Sequence, residues 1–159
     1  MGSRIQYSDD ADLAEIVESI APTSILAVGP KAGRVFAPYL AHHPQATLTH
    51  IMAGDWGAPV LDQHFDFVYL CHVLEHLGKP QAGDLLARLR EKCHYLYAKV
   101  PIGKAWLNHI SFWEKSDLQA LGLTLVNLTA ASGRPVGLFG YDCRTFKIET
   151  EWMNSKYWA

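Results

Sequence analysis

Apolar positions recur along this chain with two different periods. Leu13, Ile16, Val17 and Ile20 stand three and four residues apart, a helical stripe with Ser8, Asp9 and Asp10 at its start and Pro22 beyond its end. Residues 24–29 and 65–70 are instead short, nearly unbroken apolar runs, the form of a strand buried on both faces. Residues 46–52 alternate Thr and Leu and predict another strand; residues 94–100 predict a fourth, stopped by Pro101. Helical patterns fall between them. Val35, Phe36 and Leu40 follow Gly33, with Pro38 admissible only in a first turn or at a kink, and Leu85, Leu86 and Leu89 follow Pro80. Residues 53–64, with Gly54, Gly57 and Pro59, show neither period and read as loop.

The last third has a different rhythm. Ser116 and Asp117 cap a short helix ending at Gly122. Residues 123–130 and 136–148 are strand patterns joined by a short Gly- and Pro-containing connection, so a hairpin is expected. Gly137 and Gly140 in its second strand predict a bulge or twist. Strand–helix alternation followed by a hairpin implies one α/β domain over residues 1–150. Its expected architecture is an open, mostly parallel sheet with helices on both faces and a C-terminal antiparallel hairpin. Residues 151–159 form an aromatic tail.

Composition narrows the class. At 159 residues, 49% hydrophobic and 19% charged, the chain suits one domain with a real core. A net charge of −2 argues against a nucleic-acid surface built on bulk positive charge, and Arg88, Arg90 and Lys92 read as a solvated helix face. No apolar run reaches the roughly 18 residues of a membrane span, and no secretory layout opens the chain. Cys71, Cys93 and Cys143 are odd in number and widely spaced, which fits reduced thiols in a cytoplasmic protein.

The strands over 24–29 and 65–70 each empty into a turn, the place where open parallel sheets hold ligands. Phe65-Asp66-Phe67-Val68 leads into His72-Val73-Leu74-Glu75-His76-Leu77, and His109-Ile110-Ser111-Phe112-Trp113 precedes the helix ending in Leu121-Gly122-Leu123. In these motifs and in the order of its elements the chain resembles the class I S-adenosylmethionine-dependent methyltransferases, from about Ser24 to Ile148. The resemblance implies a Rossmann-like, methyltransferase-like fold. It also implies a cofactor site at the first turn, where the family has an acid followed by Gly-x-Gly-x-Gly, with a second acid at the end of strand two for the ribose.

Here those positions depart from the family. The first turn reads Ala27, Val28, Gly29, Pro30, Lys31, Ala32, Gly33, so the acid is replaced by Ala27 and the middle glycine by Lys31. Pro30 removes one N–H donor, and Lys31 brings positive charge toward the place of a sulfonium. Strand two ends in Thr49-His50-Ile51-Met52, leaving Asp55 as the nearest carboxylate. The span from Gly33 to Asp66 has room for one helix, one strand and a loop at ordinary element lengths, so the sheet is expected to be truncated on the strand 2/3 side. The expected cofactor-binding set is Gly29, Gly33, Lys31, Asp55 and His72, with catalytic residues unknown and no metal ligands.

Two functions follow. The leading one is a methyltransferase-like domain that has lost or altered S-adenosylmethionine binding. It would act as a binding or regulatory protein, or on an anionic ligand at the carboxyl rim, with no cofactor expected. The alternative is an active small-molecule methyltransferase, with S-adenosylmethionine as cofactor and His72 or His109 touching the acceptor. A minor third reading is a zinc hydrolase. His72-x-x-Glu75-His76 fits an inverted zinc-protease pattern, with Glu149 or Glu151 as the third ligand. Otherwise the eight histidines show no shared ligand spacing. Cys71 and His72, adjacent on a strand, point to opposite faces and make no nucleophile–base pair. Trp56, Trp106 and Trp113 fall in rim loops as pocket or lid aromatics. Trp152 and Trp158 in the tail dock on the domain or engage a protein partner or second copy. Neither nucleic acid nor membrane is expected as a partner.

Overall fold

The buried apolar runs line up side by side. In the computed structural model, which describes residues 6–52, 54, 60, 62–103, 109–131 and 134–142, they form one six-stranded sheet. Its strands are β1 (Ser24–Val28), β2 (Thr47–Ile51), β3 (Phe65–Cys71), β4 (Cys93–Pro101), β5 (Thr124–Ala131) and β6 (Arg134–Asp142), in the order β2-β1-β3-β4-β6-β5. β1 pairs in parallel with β2 and β3, and β3 with β4. β6 is antiparallel to both β4 and β5. This is the open, mostly parallel α/β sheet with a C-terminal antiparallel hairpin that the alternation implied. Among the described residues β2 is the outermost strand on its side.

Helices cover both faces because the parallel strands must be joined by crossovers. α1 (Gln6–Ile20) and α2 (Ala37–His42) lie on one face. There Leu13, Val17, Phe36 and Tyr39 pack on Ile25, Ala27, Phe67 and Tyr69. α3 (Lys79–Glu91) and α4 (Lys115–Ala120) cover the other, where Leu86, Leu89 and Leu118 join Leu26, Val68 and Leu96. Each such side chain contributes about 1.5–3 kcal/mol relative to exposure, so the two layers hold the strand ends in place.

Local signals mostly hold, with three corrections. Pro38 sits in the first turn of α2, where its missing N–H costs no helix bond. α1, however, begins at Gln6, so Ser8, Asp9 and Asp10 lie inside the helix rather than ahead of it. Asp117 acts as the third residue of α4, its Oδ2 accepting the Glu114 N–H at 2.8 Å, so Glu114 takes the cap position. The irregularity of the hairpin falls on β5, between Leu125 and Asn127, and not on β6. Gly140 instead makes room for an aromatic ring: a Cβ there would stand 2.4 Å from the ring of Tyr97. No helix among the described residues is long and apolar enough to cross a membrane.

Candidate functional site at the carboxyl rim

The turn after β1 is built around one glycine. Gly29 has φ of +125°, and a Cβ on it would meet the Cys71 carbonyl oxygen at 2.4 Å. Its N–H continues the sheet onto the Ile51 carbonyl at 3.0 Å. Only glycine tolerates both the conformation and the approach. Gly33 is different. Its φ is −77°, and a Cβ there would be no nearer than 3.5 Å to its neighbours, so the position does not require glycine. Lys31 is exposed on the same turn. The turn leads into a single 3-10 turn, Arg34–Phe36, and the six-residue α2. Few peptide dipoles are therefore aligned toward it.

His50 lies in the stretch Thr49 to Met52, the end of strand two, where the resemblance places the ribose-binding acid. Its Nε2 lies 2.5 Å from the Gly29 carbonyl oxygen, and its ring sits 3.5 Å from where a Gly33 Cβ would be. The imidazole thus lies across the turn. Ala27, in the place of the family's first acid, is fully buried in the core. Asp55 lies outside the described residues, as do Trp56 and Trp106. Among the described positions taken from the family's two acid sites, neither offers a carboxylate.

The end of β3 carries a second group of side chains. His72 has φ of +57°, an uncommon conformation for a residue with a side chain. Its N–H is held by the Lys99 carbonyl at 3.1 Å. Its Nδ1 lies 3.0 Å from Glu75 Oε2. Glu75 is 1% exposed, and its other oxygen, Oε1, is buried with no hydrogen-bond partner. Leu74–His76 form one 3-10 turn, so the helix required by the inverted zinc-protease pattern is not formed.

A distant segment closes over this turn. The Glu75 carbonyl accepts the N–H groups of Ile110 at 2.8 Å and Ser111 at 3.1 Å. The Ser111 hydroxyl reaches the carbonyls of Leu77 at 2.6 Å and Leu74 at 3.2 Å. It also accepts the indole N–H of Trp113 at 2.7 Å. Trp113 is 1% exposed and forms part of the core, so it is not the rim aromatic that its loop position suggested. The segment brings the His109 ring edge-on to His76, with centroids 5.2 Å apart. One ligand-type atom each from Glu75, His76 and His109 lie within 4.8 Å of one another. Burial pushes the His109 pKa down; the Glu75 charge opposes that shift, and His76 and His72 add to it.

A family model described as a family of unknown function, DUF6231, matches residues 7–159. The chain belongs to DUF6231. No curated protein matches it. Among solved structures, this DUF6231 chain is similar to the magnesium protoporphyrin IX methyltransferase of Synechocystis with bound SAH. That match has 10% identity and a TM-score of 0.57, over 84% of this chain and 81% of the other. A Nostoc punctiforme protein assigned as an O-methyltransferase matches at 13% identity and a TM-score of 0.56, over 87% of this chain. This chain spans only 57% of that protein's length. The methyltransferase domain of a bacterial CtHen1-CN matches at 10% identity and a TM-score of 0.55, over 86% of this chain and all of the other. These likenesses establish a methyltransferase-like fold for the DUF6231 chain.

Of the expected site residues, the fold sets Gly29, Lys31, Gly33 and His72 on the rim of adjacent strands β1 and β3. His50 carries no sequence signal for its contact: it lies in the stretch where an acid is expected and is instead a cap on the turn. His109 is an expected acceptor contact, but it has no ligand spacing to any other histidine, and only the tertiary fold sets it beside His76. The one available signal was the matching His109-to-Trp113 motif, which pointed to the segment but not to its contact.

Proposed function

We propose that this DUF6231 chain is a small-molecule binding domain on a methyltransferase-like fold. Its first turn does not grip S-adenosylmethionine through carboxylates and favours an anionic ligand at the carboxyl rim. The observation that carries this reading is the His50 imidazole on the Gly29 carbonyl, in the place of a ribose-binding acid. A sulfonium nucleoside needs acceptors for its ribose hydroxyls and ammonium group. Here the turn presents an imidazole already engaged and an exposed Lys31, whose charge repels a sulfonium and attracts an anion.

Titration with S-adenosylmethionine and S-adenosylhomocysteine, followed by calorimetry and thermal unfolding, tests this directly. Flat curves at millimolar ligand are expected, since only a ligand that binds the folded state raises its melting temperature. Saturable stabilisation by either compound overturns the reading. A rescue variant localises the defect. Ala27 is too deeply buried to accept an acid, so the substitutions are His50→Asp with Lys31→Gly, expected to confer measurable binding of S-adenosylhomocysteine.

One feature favours the alternative of an active methyltransferase. The Gly29 turn keeps the close backbone approach that a cofactor's methionine part would need. In that reading His72 or His109 contacts the acceptor, and proximity supplies most of the rate. The same titration separates the two.

A further inference from the structure

We propose that Glu75, His76 and His109 form a binding site for one divalent transition-metal ion, with His72 as the positioning residue for the Glu75 carboxylate. This goes beyond the binding-domain reading and does not depend on whether S-adenosylmethionine binds.

The donor set comes first. Two imidazoles and one carboxylate are the ligands that borderline divalent ions such as zinc take in sites that keep a position open. The three donor atoms lie within 4.8 Å of one another. Around a tetrahedral zinc they would stand about 3.3 Å apart, given metal–ligand bonds near 2.0–2.1 Å. The proposal requires the side chains to close that difference by rotation.

The second observation is the state of Glu75. A carboxylate 1% exposed, with one oxygen buried and unpartnered, carries an uncompensated desolvation cost. Its other oxygen is already taken by His72 Nδ1. A cation at the unpartnered oxygen resolves the deficit, and the His72 contact is the kind of outer partner that orients a metal-binding carboxylate.

The third is preorganisation. The two segments that supply the donors are tied by the Ile110 and Ser111 N–H groups on the Glu75 carbonyl, and by the Ser111 hydroxyl on the carbonyls of Leu74 and Leu77. These bonds restrict the donors before any ion arrives. His76 is exposed and His109 half-buried, so the open coordination position faces solvent at the carboxyl rim. There it would take an oxygen donor, such as a carboxylate or hydroxyl, from a small molecule.

His64, Asp66 and His94 make a second cluster within the same distance limit, at the opposite end of the sheet. It lacks these features. Both of its histidines are more than half exposed, and Asp66 Oδ2 is engaged by Thr23. It serves as the internal control.

The test uses the full chain, stripped of metal by chelation and titrated with zinc by calorimetry and with cobalt(II) by visible absorption. The expected result is one ion per chain, with a cobalt spectrum of four- or five-coordinate nitrogen and oxygen ligation. Glu75→Gln and His109→Asn should each weaken binding by at least about tenfold, and His72→Gln by a smaller factor, as loss of an outer partner does. His64→Asn with His94→Asn should leave affinity and spectrum unchanged. Circular dichroism confirms that each variant is folded. Should Glu75→Gln fail to fold, the His109→Asn and His76→Asn variants carry the test. Absence of stoichiometric binding overturns the proposal, as does binding that survives His109→Asn and disappears with His64→Asn/His94→Asn.

Discussion

A Cβ added to Gly29 would stand 2.4 Å from the carbonyl oxygen of Cys71. The turn after β1 and the end of β3 therefore meet backbone to backbone, and the rim is shaped by that contact. Gly29→Ala must shift a main-chain carbonyl and also hold a positive φ, which together should cost about 2–4 kcal/mol. Gly33→Ala, in ordinary helical backbone with no close neighbour, should be neutral or stabilise by about 0.4–1 kcal/mol. Denaturant unfolding of both variants checks the contrast, and similar losses at the two positions would contradict it.

Thr23 donates its N–H at 2.9 Å and its hydroxyl at 2.6 Å to the same oxygen of Asp66, tying the start of β1 to β3. Burial works against ionisation of Asp66. The hydrogen bonds from the Thr23 hydroxyl and from the backbone of Thr23 and Ser24, with His64 beside it, outweigh this and hold its pKa below the ordinary value. A depressed folded pKa means the stabilisation is complete above the unfolded carboxylate value of about 3.9 and is lost as pH falls through the folded one. Thr23→Val should therefore cost about 1 kcal/mol at neutral pH and much less in acid below that range. A pH series of melting curves for wild type and variant reads this out, and a pH-independent difference would exclude the assignment.

Removing the Ser111 hydroxyl leaves the buried Trp113 indole N–H without its acceptor and the Leu77 carbonyl without a donor. Ser111→Ala should destabilise by about 1–3 kcal/mol, the usual cost of orphaned buried polar groups. Ser111→Cys, which keeps a weak donor and acceptor, should recover part of that loss. Equal stability of the Ala variant and wild type in chemical denaturation would show that the network contributes nothing.

Gly140 and Tyr97 face each other across β4 and β6, with no room for a methyl group between them. Gly140→Ala should destabilise by about 1–3 kcal/mol through overpacking. The same change in a Tyr97→Leu background should cost much less. A double-mutant cycle measures the coupling, and additive effects would mean that the glycine serves some other purpose.

Much of the fold was legible because strands buried on both faces need unbroken apolar runs, and helices over a sheet need a stripe. Residues 24–29 and 65–70 announced β1 and β3 to within one residue at their ends. The strand and helix after Pro80 and the terminal hairpin were readable in the same way. Ser8, Asp9 and Asp10 do not mark the start of α1, because Ser and Asp serve equally well inside a first turn as ahead of it. Trp113 departs from its expected place because a large aromatic in a rim loop looks the same in sequence whether it faces the pocket or the core.

The chain's order of residues alone therefore determined the layered α/β architecture, the glycine turn at the rim, and the absence of a carboxylate at residue 27 and across residues 49–52. Tertiary structure decided what occupies those places. It turned His50 onto the Gly29 carbonyl, buried Glu75 with one oxygen unpartnered, and set His109 beside His76. The division has a physical cause. Strand and helix patterns are local, written in side-chain periods of two and 3.6 residues. Contacts at a parallel-sheet rim join residues separated by whole crossovers, and no local period records them.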